Sequence, residues 1–131
     1  MKSANTSGKP YERFQAWTAC HQLVMEVFRT TRTWPKEEQY GLISQAKRAA
    51  VSAAANICEG SARRGSREFR RFLDLSLGSL SELSYLLRLA ADLGYMNKAD
   101  HTNIEIHRDH ANRLTWGLYG AVSRNVKQKP D

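Results

Sequence analysis

The sequence has no run of about 18 apolar residues, which excludes a membrane-spanning helix. It contains only two cysteines, Cys20 and Cys58, far apart and neither in a CxxC. That removes the cysteine-rich zinc motifs and reads as reduced, buried thiols of a cytosolic protein, with a disulfide or a catalytic thiol as the alternatives. No HExxH and no ExxH pair occurs, so His101, His107, His110 and the nearby Glu105 and Asp109 read as a solvated helix face rather than a metal site. There is no G-x-x-x-x-G-K-[ST] and no G-x-S-x-G, so neither a phosphate loop nor a nucleophile elbow makes a case for an enzyme. No stretch keeps a β alternation for long, and the fold class expected is all-α. The opening MKSANTSGKP lacks the apolar segment of a secretory signal. Residues 1–11 are expected to form a disordered, mildly basic tail, and the location expected is cytoplasmic.

What the chain does have is positive charge. The net charge is +7 and the sequence pI about 9.7, which points toward a polyanionic partner. The charge is concentrated. Lys47, Arg48, Arg63, Arg64, Arg67, Arg70 and Arg71 face only Glu59 and Glu68 in their window, which supplies +5 of the total. The arginines from Arg63 onward span a loop and the first turn of a helix, where positive charge opposes the helix dipole. A solubilising helix start is one reading. The other is phosphate contact, for which the arginine fork is well shaped.

The rest is helical by pattern. A first helix over about 12–33 is marked by Phe14, Trp17, Cys20, Val24, Val27 and Phe28 at steps of three and four. Pro35 suits the first turn of a second, which runs to about 59–62 with Gly60 as its stop. Ser66 is expected to cap a third helix that reaches about Leu93, before Gly94, and Asp100 to cap a fourth over about 101–126. Short connections between long helices predict an antiparallel up-down four-helix bundle as one domain over 12–126, followed by a basic tail over 127–131.

The second helix carries two stripes. Ile43, Ala46, Ala50, Ala53 and Ile57 are mostly small and let a neighbouring helix approach closely. Gln45, Arg48, Ser52, Asn56 and Glu59 repeat at the same steps about 200° away. This polar stripe reads either as solvated surface or as groups that hydrogen-bond to something. The third helix is apolar on two sides. Phe69, Phe72, Leu73, Leu80, Leu83, Leu87 and Ala90 form one face, and Leu75, Ser79, Glu82, Leu86, Leu89 and Leu93 the other. A bundle helix needs only one such stripe, so the second is expected to be covered by another subunit. Arg48, Ser52, Asn56, Glu59, Ser79, Glu82, Leu86 and Leu89 are the candidate interface residues.

The run S-A-A-A-N-I-C-E-G, Ser52 to Gly60, resembles the S-x-P-x-N-I-A-E-G signature of small bacterial four-helix-bundle proteins encoded by intervening sequences in 23S rRNA genes. Pro35-x-x-Glu38-x-Tyr40-Gly41-Leu42, Arg48-Ala49-Ala50, Arg63-Arg64, Phe69-x-x-Phe72-Leu73, Gly78-Ser79-x-x-Glu82-Leu83 and Leu93-Gly94-Tyr95 match as well, over about residues 12–122. The chain departs from the pattern at Ala54, where the family has proline, and at Cys58, where it has alanine. That family is similar to the accessory proteins of diversity-generating retroelements, and Arg113-Leu114-Thr115-Trp116-Gly117 resembles that branch. The resemblance implies a ring-shaped homo-oligomer, a pentamer.

The residues and the resemblance together predict a non-enzymatic nucleic-acid-binding protein without a cofactor. Arg63, Arg64, Arg67, Arg70, Arg71 and Lys47 are expected to contact RNA or DNA phosphates with weak sequence selectivity. No aromatic stacking platform is legible in the basic segment beyond Phe69 and Phe72, which belong to the core stripe. The alternative is an accessory subunit of a reverse transcriptase.

Overall fold

The computed structural model describes residues 8–128. Four helices carry the fold: α1 (Gln15–Thr30), α2 (Leu42–Ser61), α3 (Ser66–Asp92) and α4 (Lys98–Gln128). Single 3-10 turns occupy Pro10–Arg13, Thr31–Thr33 and Lys36–Glu38, and among the described residues there is no strand. Each helix packs on its sequence neighbours and α4 closes on α1, so the chain runs up and down around one core. No helix of the described residues is long and apolar enough to cross a membrane.

The core is built mainly from leucine on α3 and alanine on α2. Leu73, Leu80, Leu83 and Leu87 are fully buried against Ala46, Ala50, Ala53 and Ile57. The small side chains bring the two helices close enough for Ser76 Oγ to donate to the carbonyl of Ala53 at 2.7 Å, deep inside. Ala49 and Ala54 are buried too, so the apolar face of α2 is wider than one stripe. On α1 the buried face is Ala16, Ala19, Cys20, Leu23 and Val27. It is rotated from the expected stripe, leaving Trp17 and Val24 half-buried and Phe28 exposed. Aromatic bulk on α1 packs at the edge of the core rather than at its centre.

The helix ends differ from expectation in instructive ways. Gly60 is not a stop. It sits inside α2, buried, where an added Cβ would lie 2.8 Å from Phe69 Cδ1 and Phe72 Cβ, so it is small because α3 crosses there. Gly65, with φ +88°, occupies the N-cap of α3, and Ser66 is already helical. At α4 the cap is Asn97, whose Oδ1 accepts the Asp100 N–H at 2.8 Å, so Asp100 is the capped residue and not the cap. Gly94 does end α3 as expected. Its φ is +83°, and the N–H groups of Tyr95 and Gly94 bond back to the carbonyls of Ala90 and Ala91 as a Schellman turn.

The second helix starts later than expected, at Leu42, because Pro35 opens a 3-10 turn instead. Glu38 makes the junction. Its Oε1 accepts the Leu42 N–H at 3.0 Å, and its Oε2 accepts the Tyr95 hydroxyl at 2.8 Å. One carboxylate thereby caps α2 and ties it to the α3–α4 turn.

Pro10 and Tyr11, assigned to the tail by sequence, form an ordered 3-10 turn, with the Tyr11 ring 4.7 Å from that of Trp17. The fourth helix continues past residue 126 to Gln128. The expectations for residues 1–7 and 129–131 lie outside the described residues.

Candidate nucleic-acid interface

Antiparallel packing brings the start of α1, the α2–α3 loop and the last turns of α4 to one end of the bundle. Phe14 meets Phe69 edge-on at 5.5 Å, and Arg13 and Phe14 border the same shallow groove as Leu114 and Gly117. The five arginines of the α2–α3 corner sit at this end. Arg63, Arg64, Arg67 and Arg71 are exposed and Arg70 is half-buried. Arg13 joins them from the Pro10–Arg13 turn, and Arg124 and Lys127, both exposed, from α4. Sequence reasoning placed these last three outside the site because it read the chain as a line. The signal that brings them in is the up-down topology itself.

The corner is organised around Phe72. The guanidiniums of Arg63 and Arg71 lie over its ring at 5.0 and 4.6 Å from the centroid. Each is also ion-paired one turn away, Arg63 with Glu59 and Arg71 with Glu68. All four partners are about half exposed, so these pairs hold orientation more than they stabilise the fold. Lys47 does not belong to this group. It lies roughly 20 Å up α2 by helical rise, with its ammonium 4.7 Å from the centroid of the Phe28 ring on α1.

The polar stripe of α2 meets α3 in a separate groove of about 340 Å³, lined by Gln45, Arg48, Ala49, Ser52, Ser79 and Glu82. Ser79 Oγ donates to Ser52 Oγ at 2.8 Å. Asn56 Nδ2 reaches the same hydroxyl at 3.0 Å and the Ser52 carbonyl at 2.8 Å. Ser52, Asn56 and Ser79 are half-buried and form one network, whereas Arg48 and Glu82 are exposed. Glu59 is not part of the network; its side chain is 54% exposed and turned to Arg63. Leu86 differs most from expectation. Only 4% exposed, it belongs to the chain's own core, and Leu89 packs partly against that core. One chain covers this part of the second α3 stripe by itself, while Leu75 and Leu93 stay exposed.

Neither thiol is poised for chemistry. Cys20 is fully buried, 3.7 Å from Thr115 Oγ1, and burial pushes its pKa up to about 11. Burial also raises Cys58, which is half-buried, and both cysteines are free. His101, His107 and His110 all lie on α4, and no three His, Cys, Asp or Glu side chains converge among the described residues.

A second surface was missed by the sequence reading. Between the Pro10–Arg13 turn and the last turns of α2 runs a groove of about 510 Å³ that includes Tyr11 and Arg63. Aromatic residues at 11, 14 and 17 were its sequence signal, hidden by assigning Tyr11 to a tail.

Residues 12–117 match the family model described as 23S rRNA-intervening sequence protein. No curated protein matches the chain.

Proposed function

The chain belongs to the 23S rRNA-intervening sequence protein family, and from that premise we propose that it is a non-enzymatic protein that holds RNA or DNA by its phosphates at the basic end of the bundle. It does so as a ring-shaped homo-oligomer, a pentamer, so that one weak patch is repeated around the assembly. The observation that carries this reading is the gathering of Arg13, Arg124 and Lys127 beside the five arginines of the α2–α3 corner. The helix dipole favours Arg124 and Lys127 near the end of α4, but it does not account for Arg13 or for the arginines at the start of α3, whose charge adds to theirs at the same end. Phosphate contact carries no base information, so binding is weakly sequence-selective.

Three or four phosphates neutralised per subunit give a log–log salt slope of about −2 to −4. A ring engaging several subunits gives a steeper one. Replacing Arg63, Arg64 and Arg67 together with Gln is expected to weaken binding to all sequences alike and to flatten the slope. The fold should survive, since Arg63, Arg64 and Arg67 are all exposed and contacts made by exposed charges add little stability. An anisotropy titration against salt measures this. No binding at low salt, or binding unchanged in the triple variant, removes the basic end as the site.

A further inference from the structure

The groove beside the basic end has the wrong character for phosphate alone. It is lined by Tyr11, Ala55, Cys58, Glu59, Ala62 and Arg63, and its walls are mostly apolar. At about 510 Å³ it has room for a flat heterocycle but not for a stacked duplex. Tyr11 is held by a neighbouring ring. Its ring contacts Trp17 at 4.7 Å, and Trp17 in turn stacks on His21 at 5.0 Å with the planes 9° apart. A ring held by other rings loses little freedom when a further ring stacks on it. Arg63 lines the same groove and leads directly to Arg64, so the apolar slot and the positive surface are continuous.

We propose that this groove takes one unstacked base of a single-stranded nucleic acid, seated against Tyr11, while Arg63 and Arg64 hold the neighbouring phosphates. The inference rests on the phosphate-binding reading of the basic end and sharpens it, from any polyanion to a strand with free bases. A duplex can reach the arginines, but its bases are stacked and cannot enter the slot. Glu59, beside Arg63, offers an acceptor to a base amino group.

The test uses the full chain, a short fluorescent single strand and the matching duplex, titrated at one salt concentration. Stacking on an aromatic ring contributes enough per base that Tyr11→Ala is expected to weaken single-strand binding roughly tenfold. Duplex binding should not change, and Tyr11→Phe should bind the single strand as the native protein does. Cys58 supplies a second readout that needs no variant. Cys20 is fully buried, so iodoacetamide on the native protein reports Cys58. Excess single strand is expected to slow that alkylation, and excess duplex to leave it alone. Equal effects of Tyr11→Ala on strand and duplex, or no effect on either, overturn the base-stacking inference while the phosphate reading stands. Cys58 that alkylates at an unchanged rate under saturating strand also overturns it. Because burial raises the pKa of the Cys58 thiol, the alkylation is followed at alkaline pH, and the Tyr11 titrations decide the inference whatever the basal rate. Failure of the native protein to bind strand or duplex at low salt is a different result and removes the phosphate reading itself.

Discussion

Two glycines in helices make opposite predictions although the sequence presents them alike. Gly60 lies where α2 crosses the start of α3, and a methyl there would meet Phe69 and Phe72 at 2.8 Å. One of those atoms is a Cβ fixed to backbone, so relief requires the helices to shift. Overpacking of this kind costs about 1–3 kcal/mol, and the better helix propensity of alanine returns at most about 1 kcal/mol. Gly60→Ala is therefore expected to lower the urea midpoint. Gly78, on α3, has nothing within 4 Å of the same methyl. In the single chain Gly78→Ala should raise the midpoint by an amount worth about 0.5–1 kcal/mol, measured in a Leu75→Arg background so that the proposed α2–α3 subunit contact does not enter. Equal shifts in the two variants would show that helix propensity, not the crossing, governs both positions. A second residue-scale prediction concerns pH. Glu38 is held below the usual carboxylate range, first by the Leu42 N–H and then by the Tyr95 hydroxyl. A lowered folded-state pKa contributes stability above the unfolded value of about 4.3 that is lost as pH falls through the folded one. Tyr95 is raised by the same bond. Its contribution is complete below about pH 10 and is lost as pH rises further. Glu38→Gln should thus flatten part of the acid limb and part of the alkaline limb of a thermal-midpoint profile. A profile altered on neither side would mean that the contact does not distinguish folded from unfolded chains.

At the scale of elements, the helices were legible because each needs one apolar face, and a 3.6-residue period survives local noise. The joints were harder. Ser66 and Asp100 are ordinary capping residues by type, yet Gly65 and Asn97 stand at the caps, because the chain's turn geometry selected the residue just before each. Glu38 was visible as part of a motif, but its partner Tyr95 lies 57 residues away, and only packing brings the two together. The basic corner could be read from a window of sequence, whereas Arg13, Arg124 and Lys127 required knowing which helix ends are neighbours. Leu86 shows the limit of a two-stripe argument. The hydrophobic period places it on the outer face of α3, and the burial shows that α3 is wrapped further round by its own chain than a single-stripe bundle helix would be. The stripe Leu75, Ser79, Glu82, Leu86, Leu89 and Leu93 is therefore mixed, partly core and partly surface.

At the scale of the whole molecule, that division decides where a ring can form. Leu86→Arg would place a charge in the protomer's core and report on folding, so it does not test assembly. Leu75, 47% exposed on α3, and Val51, 43% exposed on α2, are better placed. Both are branched apolar side chains left open on the two helices that line the polar groove of Arg48, Ser52, Ser79 and Glu82. Apolar residues around a hydrogen-bonded polar centre suit a contact that must fix register as well as attract, which is what repeating one patch around a ring demands. The native protein is expected to scatter light as several copies of the 14.9 kDa chain, five in the proposed ring. Leu75→Arg is expected to reduce that mass toward a single chain with the helical circular dichroism unchanged. The same variant links assembly to binding. If the basic ends act together only within the ring, its salt slope should fall to the single-subunit value of about −2 to −4. A native protein that remains a monomer at micromolar concentration would sink the ring. An assembled native protein whose mass is untouched by Leu75→Arg would instead move the subunit contact away from the α2–α3 face.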